Sequence, residues 1–295
     1  MLRIHASGER CLCDFTFDFF WQHQGRRLDM DQTVSGISFR EMVQALGRGE
    51  TVEILGDAGS RLGSSLGVDL LRLGGKGGPI EGTGKIIVDG NVGSHMGISM
   101  LRGAIYVSGE IKSPMGNVVQ VHSDLNGYRK FVSVTETLEK SLPVLEPNAA
   151  DKNGLTICDG ILRDTLGARN PTDKTVLLQG DAGMSTGILM HAGRMAVWGD
   201  AGPNTGVLMR GGRIIVKGRA GDFTGVEMRG GEILVEGDAG SFTCAGMKGG
   251  AVYAKEGKSV PPARAQMPSP LELAALAKAL NIPMLHAMMY RKMCL

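Results

Sequence analysis

Aromatic residues make up only 5% of the 295-residue chain, and no run of eighteen apolar residues occurs in it. The second absence excludes a membrane-spanning helix at the level of sequence. The amino terminus, MLRIHASGERCLCDF, lacks the unbroken apolar stretch of a secretory signal. Charge of one sign is lacking too: 32 basic against 30 acidic residues leave a net +2, with no sustained Lys/Arg block. That balance gives no electrostatic footprint for nucleic acid. The five cysteines, Cys11, Cys13, Cys158, Cys244 and Cys294, are odd in number and scattered, which argues against a disulfide framework and suits a reducing compartment. A cytoplasmic protein with neither nucleic acid nor membrane as partner is the expectation. Cys11 and Cys13 form a C-x-C pair, but no second pair completes a metal set.

What the chain has in excess is glycine, 45 residues, and methionine, 17 residues. The glycines recur. Gly-Asp-Ala-Gly begins at Gly180, Gly199 and Gly237, with Gly-Arg-Ala-Gly at Gly218, so four units stand nineteen residues apart. Met190, Met209, Met228 and Met247 keep that spacing, as do Gly193, Gly212, Gly231 and Gly250, and Gly187, Gly206 and Gly225; Cys244 breaks the last series. Earlier units begin at Gly56, Gly90 and Gly109, and a degenerate one at Gly160, which makes about eight coils. A fixed period of this length is the signature of a solenoid. Each unit ends in an alternating stretch, such as Ile214 and Val216 or Ile233 and Val235, whose apolar residues are expected to face inward. Nineteen residues are too few for two helices and suit short strands joined by tight turns that need positive φ. Gly180, Gly199, Gly218 and Gly237 are the expected structural turns. The fold class that follows is mainly β, a right-handed single-stranded β-helix with small helix-containing caps.

Three regions lie outside the repeat. Residues 1–50 read as an amino-terminal cap, with a capping box at Ser38 and Glu41 opening a helix that ends near Gly47. The solenoid spans 51–256 with an insert at 120–153, where a strand at Phe131–Val134 and a helix near Thr135–Leu142 are expected. The segment 257–295 is a Pro-rich connector and a helical tail, opened by Ser269, Pro270 and Glu272 as N-cap, N1 and N3. It either covers the last coil or meets a partner subunit through its methionines. The outward residues Trp198, Ile215, Leu234 and Tyr253 are the candidate interface.

Chemical motifs do not survive comparison with the repeat. Ser65 and Ser185 sit in G-x-S-x-G matches, but Ser185 occupies a position held in later coils by Asn204, Phe223 and Phe242, which is not the strand-to-helix elbow of a nucleophile. Gly82-Thr83-Gly84-Lys85 lacks the first glycine and the Ser/Thr of a phosphate loop. The corner aspartates Asp57, Asp181, Asp200 and Asp238 lack the nine-residue period of a calcium roll and read as bonding to turn backbone. His5, His23, His95, His122, His191 and His286 approach no ligand spacing. No catalytic, cofactor-binding or metal residue is expected in this chain.

The units from Gly199 through Thr205-Gly206-Val207-Leu208-Met209-Arg210-Gly211-Gly212, and from Gly218 through Met228-Arg229-Gly230-Gly231-Glu232-Ile233, resemble the GXGXG superfamily over residues 51–118 and 154–256. Its members include the β-helical subunit of formylmethanofuran dehydrogenase and the carboxy-terminal domain of glutamate synthase large subunits; the Met-Arg-Gly-Gly-Glu-Ile corner looks most like the former. The resemblance implies a non-catalytic scaffold in an oxidoreductase complex. Molybdopterin or tungstopterin, iron–sulfur clusters and a binuclear metal site then belong to partner subunits, which reduce carbon dioxide onto methanofuran; related bacterial assemblies use a similar subunit in formyl transfer and hydrolysis. The alternative within the superfamily is the solenoid subunit of a split glutamate synthase or amino-acid N-methyltransferase complex. A third reading is a self-contained enzyme with a site beside the insert.

Overall fold

The nineteen-residue period appears in the computed structural model, which describes residues 1–6, 13 and 29–295, as one short strand per coil paired in parallel with its neighbours. Cys11 and His23 lie outside the described residues. The fold is mainly β, a solenoid of about nine turns with four short α-helices among the described residues. Contacts divide the chain into two units, Met1–Thr137 with Leu142–Leu145, and Leu138–Ser141 with Glu146–Leu295.

The first unit opens with β1 (Leu2–His5), a hairpin of β2 (Thr33–Val34) and β3 (Ile37–Ser38), and helix α1 (Phe39–Gly47) with the expected Ser38–Glu41 capping box. Strands β4 (Thr51–Leu55), β5 (Lys85–Asp89) and β6 (Ala104–Val107) follow, then β7 (Val118–Val121), β8 (Arg129–Ser133) and the start of α2 (Val134–Lys140). Two features depart from the sequence-based expectation. Residues 2–5 are not only a cap: β1 pairs in parallel with β4, placing Leu2 beside Val52 and Ile4 beside Ile54. The insert also joins the sheet, since β8 pairs antiparallel with β6 and β7 with β8, which closes the parallel ladder. The exposed backbone edge of β6 thereby gains a partner.

The second unit runs β9 (Ala149–Asp151), β10 (Gly154–Ile157), β11 (Thr175–Leu178), β12 (Arg194–Val197), β13 (Arg213–Val216), β14 (Arg229–Val235) and β15 (Gly249–Ala254). Its tail adds β16 (Arg264–Gln266), α3 (Pro270–Leu280), α4 (Met284–Ala287) and β17 (Arg291–Cys294). Strands β10 to β15 are parallel and in register, apart from a shift between Arg229 and Glu232 where β14 meets β15. Val176, Met195, Ile214, Ile233 and Val252 form one buried column, and Leu178, Val197, Val216, Val235 and Ala254 the other. Each inward branched side chain contributes roughly 1.5–3 kcal/mol of burial. β17 then pairs antiparallel with β15, so the tail does cover the last coil. Its helix α3 starts at the expected Ser269–Glu272 capping box.

The corner glycines serve a different purpose from the one expected. Of Gly180, Gly199, Gly218 and Gly237, only Gly180 has positive φ, +126°. At Gly199 a Cβ would collide with Asp181 Oδ1, and at Gly218 with Asp200 Oδ1. These carboxylates are bound across coils: Asp181 Oδ1 accepts the Asp200 amide at 2.7 Å and Asp200 Oδ1 the Arg219 amide at 2.7 Å. In the first unit Asp57 accepts from the Asn91 amide at 2.8 Å, and Asn91 from the Glu110 amide at 2.8 Å. The aspartates therefore tie each coil to the next rather than closing their own turns. Asp238 instead bonds within its own turn, to the Gly240 amide.

Positive φ falls on Gly187, Gly206 and Gly225, where a Cβ would also strike Ile214, Ile233 and Val252, each on the strand after next. Cys244 keeps φ at +62° in the last coil, where the repeat supplies no further inward strand and its side chain is buried instead against the tail, Sγ 3.9 Å from the Met293 carbonyl. A second column was not singled out from sequence. Thr186, Thr205, Thr224 and Thr243 are wholly buried, and each hydroxyl donates to the carbonyl three residues back, at Gly183, Gly202, Gly221 and Gly240.

Gly199→Ala is expected to destabilise the chain by roughly 1–3 kcal/mol through overpacking. Removing the obstructing carboxylate in Gly199→Ala/Asp181→Ala should make the two losses less than additive. Urea unfolding midpoints measure both; strictly additive losses would contradict the packing described.

Candidate functional site

In the second unit, the residue following each buried methionine of the repeat points the chain outward. These residues are His191, Arg210, Arg229 and Lys248, all exposed and nineteen apart. Each is followed by small residues, Ala192-Gly193, Gly211-Gly212, Gly230-Gly231 and Gly249-Gly250. At Gly212 and Gly231 φ is +82° and +88°, and a Cβ would press on the carbonyls of Gly193 and Gly212 one coil before. Only glycine lets the coils stack there, and a strip without side chains results.

The strip floors a groove of about 650 Å³. Gly193, Gly212 and Gly231 line it, with His191, Arg194 and Asp173 around them. Arg213 and Glu232 also border it and neutralise one another, with N–O distances of 2.5 and 2.9 Å across adjacent coils. His191 is exposed at this rim, yet the protein packed around its ring and the charges of Arg210 and Arg169 hold its pKa below the ordinary histidine value, against a hydrogen bond with the Arg169 backbone.

The sequence alone did not mark this groove. The histidines match no metal-ligand spacing; the informative signal is that His191 shares a nineteen-residue column with three permanent cations, Arg210, Arg229 and Lys248.

The candidate interface divides. Ile215, Leu234 and Tyr253 belong to one strand column, in register with Ala196. Leu234 and Tyr253 are buried beneath Leu276, Leu280, Ala287 and Tyr290 of the chain's own tail, and Ile215 packs against the same cluster. Tyr253 donates to Glu272 at 3.2 Å, and Lys292 reaches the same carboxylate at 2.6 Å. The lysine, with the Ser269 amide, lowers Glu272 to about 2. This part of the column is an intramolecular contact because the tail returns over it. Trp198 stays open, 63% exposed. The tail's outer face is apolar as well, with Leu271, Leu285 and Met289 exposed by 84%, 74% and 60%.

Beside the insert, Asp124 accepts from Tyr106 at 2.7 Å and Lys130 at 2.8 Å; the lysine, then the tyrosine, hold its carboxyl well below the usual range. Ser65 and Ser185 occupy left-handed turn positions, φ +58° and +57°, and neither hydroxyl bonds a histidine or carboxylate among the described residues. Cys158, Cys244 and Cys294 are free thiols, and burial with the nearby Cys294 pushes Cys244 up to about 12. Among the described residues no three His, Cys, Asp or Glu side chains gather as a metal site, and no helix is long and apolar enough to cross a membrane.

No protein-family model matches the chain. It is 47% identical over 190 residues to an uncharacterized protein of Methanothermobacter thermautotrophicus, an alignment covering 63% of this chain and 62% of that protein's length, less than two thirds. Among solved structures it is similar to the formyltransferase/hydrolase complex of Methylorubrum extorquens in complex with methylofuran, at 20% identity and a TM-score of 0.37, covering 85% of this chain and 68% of that one.

Because its native pKa is lowered, His191 favours folding in its neutral form. Its contribution is complete above the ordinary value near 6.5 and declines as acid protonates the unfolded chain first. Arg210→Gln removes one cause of the shift, so the His191 ring should titrate at higher pH in that variant. An NMR titration with an unmoved His191 resonance midpoint would contradict the assignment of the field to Arg210.

Proposed function

We propose that this chain is a non-catalytic solenoid subunit of a multi-subunit complex of the formylmethanofuran dehydrogenase type, acting in carbon dioxide reduction or formyl transfer on methanofuran. The observation that carries the subunit role is the apolar outer face of the tail. Leu271, Leu285, Met288 and Met289 remain exposed after the tail's inner face has covered Leu234 and Tyr253. A cluster of large apolar groups beyond what the chain's own fold consumes is the mark of a surface that meets another chain. Methionines suit such contacts because they adapt in shape. The type of complex rests on the resemblance of the Met209–Gly212 and Met228–Ile233 corners to the β-helical subunits of formylmethanofuran dehydrogenases. The same resemblance assigns molybdopterin or tungstopterin and iron–sulfur chemistry to partner chains.

Affinity purification of the tagged chain from its native cell is expected to bring pterin-containing subunits, identified by mass spectrometry and by molybdenum or tungsten content. Leu285→Glu/Met289→Glu should abolish that recovery while leaving the unfolding midpoint of the isolated chain within about 0.5 kcal/mol, as for surface changes. Recovery of flavin and glutaminase subunits would instead support the glutamate synthase alternative, and turnover by the lone chain would contradict a scaffold role.

A further inference from the structure

Across most of the second unit, charge on adjacent coils alternates in sign. Arg213 meets Glu232 at 2.5 Å, Lys217 meets Glu236 at 3.2 Å and Arg219 meets Asp200 at 3.6 Å, and each pair is nineteen residues apart. Two columns break the rule: Arg194 and Arg213 are in-register neighbours of like sign on β12 and β13, and a second column carries cations on three coils. Arg210, Arg229 and Lys248 place three cations on successive coils, which lie about 5 Å apart, with Arg229 opposite Gly249, the residue after Lys248, and none has an ion-pair partner among the described residues. In the first unit the matching positions are Gly67 and Leu101, so the fold itself does not require a cation there.

Like charges at that spacing repel unless an anion lies between them. Two residues on from Arg210 and Arg229, Gly212 and Gly231 line the groove, which also takes in His191 of the same repeat position. Of the two acids that line the groove, Glu232 is taken up by Arg213, and Asp173 stands two repeats before Gly211.

We propose that the Arg210–Arg229–Lys248 ladder and the adjoining glycine-floored groove bind a small linear oligoanion carrying two or more carboxylate or phosphate groups. Two guanidinium forks can each take one carboxylate or phosphate in paired hydrogen bonds, and the lysine supplies a point charge for a third group. A ligand with anionic groups repeated along its length matches a ladder repeated along the solenoid; a single anion matches only one rung. The site is independent of the subunit assignment above and is present in the isolated chain.

Isothermal titration of the full chain at 50 mM salt, with tripolyphosphate and with a tetra-aspartate peptide as probes, tests the proposal. At least one probe should bind with 1:1 stoichiometry, at least tenfold more tightly than inorganic phosphate or acetate, and weaken steeply at 200 mM salt. Preference for one probe identifies phosphate or carboxylate as the ligand's chemistry. Arg210→Gln/Arg229→Gln should weaken binding at least tenfold with an unchanged circular dichroism spectrum, whereas Arg3→Gln, far from the ladder in sequence and in the other unit, should not. No saturable binding of either probe, or equal binding by the double variant, would overturn the site.

Discussion

Asp181 Oδ1 stands where a Cβ on Gly199 would be, and from that place it takes the amide proton of Asp200. The same geometry is repeated one coil on by Asp200, Gly218 and Arg219. Glycine and carboxylate are thus two halves of one constraint. The glycine clears the space, and the carboxylate fills it with a hydrogen bond that fixes the register of successive coils. In the first unit asparagine performs the task at Asn91, which shows that an acceptor oxygen, not a negative charge, is what the position requires.

The rest of the coil follows from that register. Inward strands align so that Met195, Ile214 and Ile233 superpose, and their tips occupy the clearance left by Gly187 and Gly206. Buried threonine hydroxyls close the turns locally, since a buried hydroxyl without a partner is costly. Outside, the same period multiplies whatever it carries: paired charges at Arg213 and Glu232, unpaired cations at Arg210 and Arg229. A regular solenoid turns one residue choice into a ladder, so its functional surfaces are columns before they are pockets.

The period and the inward columns were legible because steric demand repeats: apart from Ala254 in the last coil, the second unit's strands β11 to β15 carry a branched or long apolar group at the same two positions. β1 was not legible, since Leu2 and Ile4 alternate as a strand should but no glycine corner marks their coil. The reason for glycine at Gly199 was missed because local turn chemistry is visible in one segment, whereas collision with Asp181 depends on the neighbouring coil. The burial of Leu234 and Tyr253 is a tertiary fact of the same kind: their outward parity is as expected, and the returning tail converts that face into a second core. The cation ladder was present in the sequence at nineteen-residue spacing, and comparing histidines with metal-ligand patterns passed over it.

Hydrogen exchange at the corner amides tests the coil-to-coil bond directly. Asp200 and Arg219 are exposed residues outside the strands, yet their amides should exchange as slowly as those of β12 and β13. In Asp200→Ala the Arg219 amide should lose its protection while the Asp200-position amide, still bound to Asp181, keeps it. Exchange of both amides at unprotected loop rates in the unaltered chain would contradict the account.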